Sequence, residues 1–447
     1  MSLGIESLEA HGISRRVISL WKRDGVNALL PLQEEAVART GVLQNKSLIV
    51  FAPTSSGKTF IAEIAALKHL ESSRAVIYLV PTKALAEEKF RRFNRLYGPL
   101  GYRILAATRE RPETDAPVLL GRFDLLVAVY EKMKSYLVQK PSLLSRAGLV
   151  IADEIQMLGE AERGGVADIL ITKIVQSPYK TQFLGLSAVL GDALRIARWL
   201  DCDFLKESRR PIELREGVFN ASDGKFYYRS FNTKEEGVET LAPEALNLHE
   251  EQEDFYERAV LELARILAKI RDEQVMIFVP TRGLSRIWAE KLANSLELEP
   301  VQSAIEVLEK YEETRGRDVL LSCFRSGVAF HNADLSWSLR RLIEDHYMNG
   351  NLKVLICTST LGEGVNLTGK NVIQIPEMVR EDEWTGEYHF VPLSRSRFRN
   401  QGGRAGRLGL ETGFGRSILL ASGEEQTQRL RREYLYGELE PLKPPLN

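Results

Sequence analysis

Residues 48–59 are LIVFAPTSSGKT, an apolar run followed by a loop of small residues that ends in Gly-Lys-Thr. A helical pattern begins near Phe60, so the loop lies between a predicted strand and a predicted helix. In that position, backbone N–H groups and the helix N-terminus can surround the phosphates of a nucleotide. The stretch predicts a phosphate-binding loop on an α/β domain. A chance Gly-Lys-Thr is the alternative, because Ala52 stands where the general pattern has its first glycine.

The residues of this loop have separate predicted roles. Lys58 would neutralise phosphate charge, and the Thr59 hydroxyl would bind Mg²⁺. ATP and Mg²⁺ are therefore the expected cofactors. The loop residues assigned to nucleotide binding are Thr54, Ser55, Ser56, Gly57, Lys58 and Thr59.

Outward from the loop, short β-branched runs alternate with amphipathic helical patterns along the chain. The runs are 48–51, 76–80, 125–129, 149–152 and 183–186 in the first half, and 275–279, 354–357, 372–375 and 418–420 in the second. This alternation is typical of parallel sheets that helices cover on both faces. The predicted fold class is α/β, with tandem domains at 1–207 and 208–437 and a tail at 438–447.

The region between the two halves has a different pattern. Residues 212–219 and 225–231 resemble two strands joined by a short turn at 222–224. Residues 234–257 are acidic and nearly free of strand patterns, which predicts a solvated linker or a surface insertion.

The charge balance and the cysteines exclude several classes of protein. Lys plus Arg number 60 and Asp plus Glu 61, so no overall positive field attracts nucleic acid, and any such site is a local groove. Cys202, Cys323 and Cys357 lack the paired spacing of a zinc site and are expected to be reduced and buried. The N-terminal segment is charged, and no apolar run approaches membrane-spanning length. A cytoplasmic protein without a membrane partner is expected.

Two carboxylates follow the apolar run 149–152. Asp153 and Glu154 would stand at the C-terminal edge of a parallel sheet, where ligands of such folds bind. Asp153 would hold Mg²⁺, and Glu154 would polarise the attacking water. A cap at a helix N-terminus is the alternative for Asp-Glu alone. The phosphate loop on a neighbouring predicted strand favours the catalytic interpretation.

A third element lies near the end of the chain, where residues 400–407 are NQGGRAGR. Arg404 and Arg407, three residues apart on a predicted helix, would share a face and reach a γ-phosphate across a cleft. Surface arginine pairs are common, so this pair is informative only in combination with the other motifs. The predicted catalytic residues are Lys58, Glu154, Arg404 and Arg407.

In this order, the motifs resemble those of a superfamily-two helicase of the DExH-box group, and specifically its superkiller-like branch. The resemblance extends from about residue 25 to 439. Beyond the loop, the acid pair and the arginine pair, its blocks are GVNALLPLQEEAV (25–37, the Q motif), PTKALAEEK (81–89, Ia), VYEK (129–132, Ic), LSAV (186–189, III), FVPTR (278–282, IV), GVAFHNA (327–333) and CTSTLGEGVN (357–366, V). The resemblance implies that two RecA-like domains face each other across a cleft that ATP closes. It also implies that Gln33 contacts the adenine edge and that Gly364 binds nucleotide.

The resemblance further implies an ATP hydrolase that moves along nucleic acid and separates duplex. The strand would be held through its phosphates, so low sequence specificity is expected for a single-stranded or tailed DNA or RNA partner. A monomer is expected. The residues that the resemblance assigns to nucleic acid are Thr82, Lys83, Lys132, Thr281, Arg282 and Thr360.

Between motifs V and VI, members of this branch carry a hairpin that splits duplex. Residues 383–390, EWTGEYHF, have a turn-like Thr-Gly between flanks that bear aromatic residues, as a short hairpin would. Trp384 and Phe390 are the predicted contacts with the separating strands. A surface loop whose aromatic side chains pack onto the domain is the alternative.

Three departures from the family pattern concern the coupling of hydrolysis to strand separation. Gln156 stands where the pattern has His, Val189 where motif III ends in Thr, and Asn400 where motif VI has its leading Gln. The first two favour a second hypothesis, a nucleotide-gated clamp that remodels complexes without unwinding. A double-stranded translocase is the third hypothesis. Relatives continue into a winged-helix domain and a helical ratchet, so an expressed fragment is expected, with a naturally short protein as the alternative.

Overall fold

The computed structural model describes residues 4–53, 56–159, 164–188, 193–242, 254–312, 314–358, 367–381, 387–406 and 413–437. These residues form two compact units that divide between Arg209 and Arg210. Within these ranges, no helix is both long and apolar enough to cross a membrane. Cys323 and Cys357 are free and buried as expected, whereas the free Cys202 is half-buried.

Seven strands among the described residues of the first unit form one parallel sheet. They are β1 (Leu48–Phe51), β2 (Ala75–Val80), β3 (Ile104–Ala107), β4 (Leu125–Val129), β5 (Ala147–Ala152), β6 (Gln182–Ser187) and β7 (Asp203–Lys206). Their order across the sheet is β3-β4-β2-β5-β6-β1-β7. The helices are α1 (Arg15–Arg23), α2 (Pro31–Arg39), α3 (Lys58–Glu71), α4 (Lys83–Tyr97), α5 (Asp115–Leu119), α6 (Tyr130–Gln139), α7 (Gly164–Val175) and α8 (Ala193–Trp199).

Strand β1 shows why helices cover both faces of this sheet. Leu48 and Val50 belong to one buried apolar cluster, while Ile49 and Phe51 belong to another. Successive side chains of a strand point to opposite faces, so each face carries its own core. Apolar area left in water costs about 25 cal/mol per Å², and both faces are therefore covered.

The described residues of the second unit form an eight-stranded sheet and a separate two-stranded hairpin. The strands are β8 (Glu213–Asn220), β9 (Lys225–Ser230), β10 (Glu236–Thr240), β11 (Val275–Val279), β12 (Val328–His331), β13 (Val354–Thr358), β14 (Asn371–Gln374), β15 (Glu377–Glu381), β16 (Tyr388–Pro392) and β17 (Phe414–Ala421). The large sheet has the order β10-β9-β8-β17-β14-β11-β13-β12, and only β8, β9 and β10 pair antiparallel. The helices are α9 (Phe255–Arg265), α10 (Arg282–Leu296), α11 (Gln302–Leu308), α12 (Arg315–Phe324), α13 (Trp337–Met348), α14 (Arg395–Gly402) and α15 (Glu424–Leu430). The predicted fold class, two RecA-like α/β domains with mostly parallel sheets, is confirmed.

The prediction of a nearly strand-free linker at 234–257 is wrong for its first part. Strand β10 pairs with β9 at the edge of the sheet, and its side chains alternate between exposed and half-buried. Glu239 accepts hydrogen bonds from Arg271 and Arg416, both at 2.7 Å. Backbone pairing with β9 and ion pairs, rather than apolar packing, hold this strand, which explains why its sequence lacks the usual strand pattern. Residues 243–253 lie outside the described ranges.

Candidate functional site

The phosphate loop joins β1 to α3. Gly57 precedes α3 with a φ of 87°, in the left-handed region that glycine adopts without strain, and a Cβ there would collide with Gln33. The Lys58 ammonium donates hydrogen bonds to the carbonyls of Ala52 and Pro53. The loop therefore brings a cation and the N-terminus of a helix to one place, as the binding of an anion requires.

The remaining loop residues lie on either side of this glycine. The buried Ser56 hydroxyl donates to the Pro53 carbonyl (2.6 Å), which holds the loop tightly curved. Thr59 lies on the first turn of α3 and is half-buried. Thr54 and Ser55 lie outside the described residues.

Gln33 reaches the phosphate loop from α2. Its side-chain oxygen accepts from the Leu30 N–H (2.8 Å), and its nitrogen donates to the Gly57 carbonyl (3.1 Å). Gln33 thus fixes the start of α2 against the loop. Its contact with adenine stays a prediction, and the amide keeps a second N–H and a second oxygen lone pair with which it could make that contact.

The acid pair directly follows β5, and several side chains converge on its first member. The Asp153 carboxylate accepts hydrogen bonds from the Tyr78 hydroxyl (2.7 Å) and the Glu154 N–H (3.0 Å). The Lys89 ammonium lies 4.0 Å from the same carboxylate. The Tyr130 hydroxyl donates to the Asp153 carbonyl (2.9 Å). This residue is consequently fixed both by its side chain and by its backbone.

Glu154 combines a left-handed backbone conformation with a carboxyl whose pKa is raised. Its φ of 55° is a left-handed conformation that costs a residue with a Cβ about 1–2 kcal/mol. Burial and the neighbouring Asp153 raise the pKa of the Glu154 carboxyl, and Lys58 opposes this rise. A carboxyl with a raised pKa at the C-terminal edge of a parallel sheet suits proton transfer from water.

Gln156 connects this acid pair to the end of β6. Its amide nitrogen donates to the Glu154 carboxylate, and its oxygen accepts from the Ser187 hydroxyl (3.1 Å) and the Ala188 N–H (3.2 Å). An amide carries a donor and an acceptor, so one side chain makes both links. Gln156 therefore joins motif II to motif III although it replaces the histidine of the family pattern. Val189 lies outside the described residues.

The sheet order corrects one expectation about this site. Strand β6 lies between β1 and β5, so the phosphate loop and the acid pair are two strands apart and not on neighbouring strands. The Ala52 N–H donates to the Ser187 carbonyl (3.0 Å). The end of β6 is therefore bonded to the phosphate loop on one side and, through Gln156, to Glu154 on the other.

Two threonines from the predicted nucleic-acid segments cap helices, one in each unit. Thr82 follows β2 and accepts from the Leu85 N–H at the start of α4 (3.3 Å). Thr281 follows β11 and accepts from the Leu284 N–H at the start of α10 (3.2 Å). Each cap fixes a helix N-terminus at the C-terminal edge of its sheet, a position that suits phosphate contacts. Thr360 lies outside the described residues.

The three basic residues predicted to contact nucleic acid are each paired with a carboxylate. The pairs are Lys83 with Glu110, Arg282 with Asp334 (2.7 Å) and Lys132 with Asp115 (2.7 Å). The side chains of the first two pairs are more than half exposed, whereas that of Lys132 is 17% exposed. Exposed ion pairs are weak and can exchange one partner for a phosphate. Lys83 and Arg282 therefore suit the predicted role better than Lys132.

Arg404 does not lie on a helix, which corrects the predicted geometry of the arginine pair. Helix α14 ends at Gly402, and Gly403 caps it. Two consecutive glycines have low helix propensity, so they disfavour a longer helix. Arg404 is 8% exposed as a residue, and its guanidinium donates to the Leu367 carbonyl (3.2 Å). Arg407 and Gly364 lie outside the described residues.

A hairpin is present between motifs V and VI, where β15 and β16 pair antiparallel. Its strands extend to either side of the predicted segment, and Trp384 lies outside the described residues. Phe390 on β16 is 62% exposed. A side chain that packs onto the domain would be buried, so the packing alternative does not hold for Phe390.

The side chains at the site fit a complex of Mg²⁺ with a nucleotide. The Thr59 hydroxyl and the Asp153 carboxylate are oxygen ligands, which Mg²⁺ prefers, and Mg²⁺ usually completes its shell with water and phosphate oxygens. Among the described residues, no three His, Cys, Asp or Glu side chains converge as a site made of protein alone would need. The donor set therefore suits a metal that arrives with the nucleotide.

Sequence reasoning missed three side chains of this site, Tyr78, Lys89 and Tyr130. The two tyrosines stand in or beside apolar strands, where a tyrosine looks like any core residue. Lys89 follows Ala86 by three residues and precedes Phe93 by four, on the buried face of α4. A lysine at a position where the helical spacing predicts a buried apolar residue could have indicated a buried ion pair.

Comparisons with known proteins match both units. The family model "DEAD/DEAH box helicase" matches residues 30–196, and "Helicase conserved C-terminal domain" matches 258–409. The chain is 33% identical over 443 residues to the ATP-dependent DNA helicase Hel308 of Pyrobaculum calidifontis, covering 96% of this chain and 58% of that protein. It is 32% identical to the protein of the same name from Methanocella arvoryzae (94% and 55% covered) and 31% identical to that from Pyrococcus horikoshii (96% and 56%). The chain thus spans a little more than half the length of these relatives.

Proposed function

We propose that this chain, which belongs to the DEAD/DEAH box helicases of superfamily two, hydrolyses ATP to move along single-stranded DNA and to separate duplex. The observation that carries the proposal is the continuous set of contacts from the phosphate loop through Ser187 and Gln156 to Glu154. The relatives are named DNA helicases, which supports DNA rather than RNA as the substrate.

The proposed hydrolysis site lies at the C-terminal edge of the first sheet. Lys58 and the N-terminus of α3 hold the phosphates of ATP. Mg²⁺, when held there by Thr59 and Asp153, would lower the negative charge on the phosphates. Glu154 orients the attacking water and accepts its proton, a role that its raised pKa supports.

The proposed grip on the strand uses the same short motif in both units. Pro-Thr-Lys at 81–83 and Pro-Thr-Arg at 280–282 each follow a strand and begin a capped helix. Helix N-termini and exposed cations bind phosphates without distinguishing bases, so binding is unspecific in sequence and weakens steeply with salt. We also propose a monomeric, cytoplasmic enzyme, which is consistent with its free thiols.

A nucleotide-gated clamp is the second candidate, because Val189 replaces a hydroxyl residue of motif III. The bonds of Gln156 favour the helicase, since they keep motif II and motif III connected. The two functions are separated by incubating a tailed duplex with the protein and ATP, with Glu154→Gln as the inactive control. Strand separation that requires ATP supports the helicase. ATP-dependent binding that leaves the duplex intact supports the clamp.

Gln156→Leu is expected to lower the DNA-stimulated ATPase rate about tenfold, because Glu154 and Ser187 lose a shared hydrogen-bond partner. The rate is measured at saturating ATP and single-stranded DNA. Gln156→His restores the residue of the family pattern and is the matched control, which should retain most of the rate. A parental rate in Gln156→Leu would show that the bridge plays no part in turnover.

Phe390→Ala is expected to slow unwinding of a tailed duplex several-fold, because an exposed ring that can stack on a base is lost, at about 1–3 kcal/mol per base. The ATPase rate and the melting temperature should stay at parental values. Ile270→Ala is the control, since Ile270 is 61% exposed in the same unit. Equal unwinding by both variants would exclude a role for Phe390 in strand separation.

A further inference from the structure

The Asp153 carboxylate is surrounded by two side chains that the proposed chemistry does not use. The Tyr78 hydroxyl donates to one carboxylate oxygen at 2.7 Å, and the Lys89 ammonium lies 4.0 Å from that same oxygen. The side chains of Lys89 and Asp153 are each 8% exposed. The other carboxylate oxygen accepts only the adjacent Glu154 N–H among the described residues. Tyr78 and Lys89 thus both act on one oxygen, and the other oxygen accepts from the Glu154 backbone.

Both side chains come from the segment that carries the first proposed grip. Tyr78 is on β2, which leads directly to Thr82, and Lys89 is on α4, which begins at Lys83. Lys89 is six positions beyond Lys83 on the helix, a rise of about 9 Å. A helix of this length moves as a rigid body, so a displacement of its N-terminus also displaces Lys89.

The second proposed nucleic-acid segment of this unit, residues 129–132, also contacts Asp153. Tyr130 is the first residue of α6, and its hydroxyl donates to the Asp153 carbonyl (2.9 Å). Lys132 lies two residues further along α6. Both segments of the first unit that were assigned to the strand therefore contact Asp153.

The separation of Lys89 from Asp153 favours an ion pair that changes when α4 shifts over one that stabilises the fold. A buried ion pair offsets its desolvation only when the two groups are close and well hydrogen-bonded. The separation of 4.0 Å exceeds hydrogen-bond length, and the ammonium competes with any metal ion for the Asp153 carboxylate. A shift of α4 would change that competition, because it changes the distance between the two buried charges and therefore their Coulomb attraction.

We propose that Lys89 and Tyr78 are positioning residues that set the Asp153 carboxylate according to the position of α4. Through them, a strand bound at the start of α4 changes the affinity of the site for the Mg²⁺–nucleotide complex. This inference rests on the proposed function. It assigns the coupling within the first unit to two side chains outside the proposed contacts with ATP and with the strand.

The test measures how single-stranded DNA changes the Mg²⁺ concentration for half-maximal binding of a fluorescent ATP analogue, without turnover. In the parent, DNA is expected to shift this concentration about fivefold or more. In Lys89→Met and in Tyr78→Phe, the shift should fall below about twofold, because the carboxylate no longer senses α4. The ratio of ATPase rates with and without DNA should fall in parallel, while the affinity for DNA measured without nucleotide stays parental.

Tyr97→Phe is the matched control, because Tyr97 is a buried tyrosine at the end of α4 whose hydroxyl donates to Glu63 (2.6 Å) and not to Asp153. It should keep the parental shift. A parental shift in both Lys89→Met and Tyr78→Phe, or no shift in the parent, would overturn the inference. If Lys89→Met does not fold, the result for Tyr78→Phe decides the test, because this substitution removes only the hydroxyl oxygen and should leave the fold intact. Failure of the proposed function is a different result, a parent whose ATPase rate does not respond to DNA.

Discussion

Glu154→Gln is expected to lower ATP turnover roughly 10³-fold while leaving ATP binding and the fold intact. The amide has the shape of the carboxyl but cannot take a proton from water. It can still accept the hydrogen bond that Gln156 donates, so the link to β6 survives. Turnover is measured as phosphate release, and binding with a fluorescent ATP analogue. Hydrolysis at the parental rate would show that Glu154 is not the base.

Lys58→Ala is a useful companion to this variant because it should fail differently. The Lys58 ammonium bonds the carbonyls of Ala52 and Pro53, so its removal takes a cation from the phosphates and also loosens the loop. Binding and hydrolysis should both be lost. The contrast between a variant that binds without turnover and one that does neither separates the phosphate loop from the acid pair.

Arg404→Ala and Arg407→Ala are expected to cut DNA-stimulated turnover by about 10³-fold or more, with little change in ATP affinity. Arginine fingers act on charge that develops in the transition state, so their loss appears in kcat rather than in binding. Arg404→Ala should also lower the melting temperature, since Arg404 is buried against the Leu367 carbonyl.

Arg429→Ala is the control for this pair, because Arg429 is an exposed arginine on α15 of the same unit. It should retain parental turnover. The proposed role would be contradicted if Arg404→Ala and Arg407→Ala both kept parental kcat in the presence of DNA.

The phosphate loop and the acid pair could be predicted because their chemistry is local. A strand, a short loop with Gly57 and Lys58, and a helix follow one another in sequence, and Asp153 directly follows a buried strand. In the two large sheets, the strands that were missed are the four edge strands β3, β7, β10 and β12. Strands β7 and β10 are mostly exposed, so their sequences are not uniformly apolar. Strands β3 and β12 are largely buried but only four residues long, which leaves little pattern to detect.

The contacts around Asp153 could not be predicted, because the order of strands in the sheet is not written locally. Tyr78 reaches Asp153 only because β2 pairs with β5. The two residues are 75 positions apart in the sequence, so nothing near Tyr78 indicates this contact. From the sequence alone, the departure at Gln156 puts the coupling of hydrolysis to strand separation in doubt. The contacts of its amide with both motifs depend on the fold and cannot be deduced from the residue type.

The most direct test of the central claim is the steady-state ATPase rate with and without single-stranded DNA of matched length. DNA is expected to raise the rate by about tenfold or more. Glu154→Gln should abolish the increase, and rising salt should remove it as phosphate contacts weaken. An ATPase rate that is the same with and without DNA at low salt would contradict the central claim.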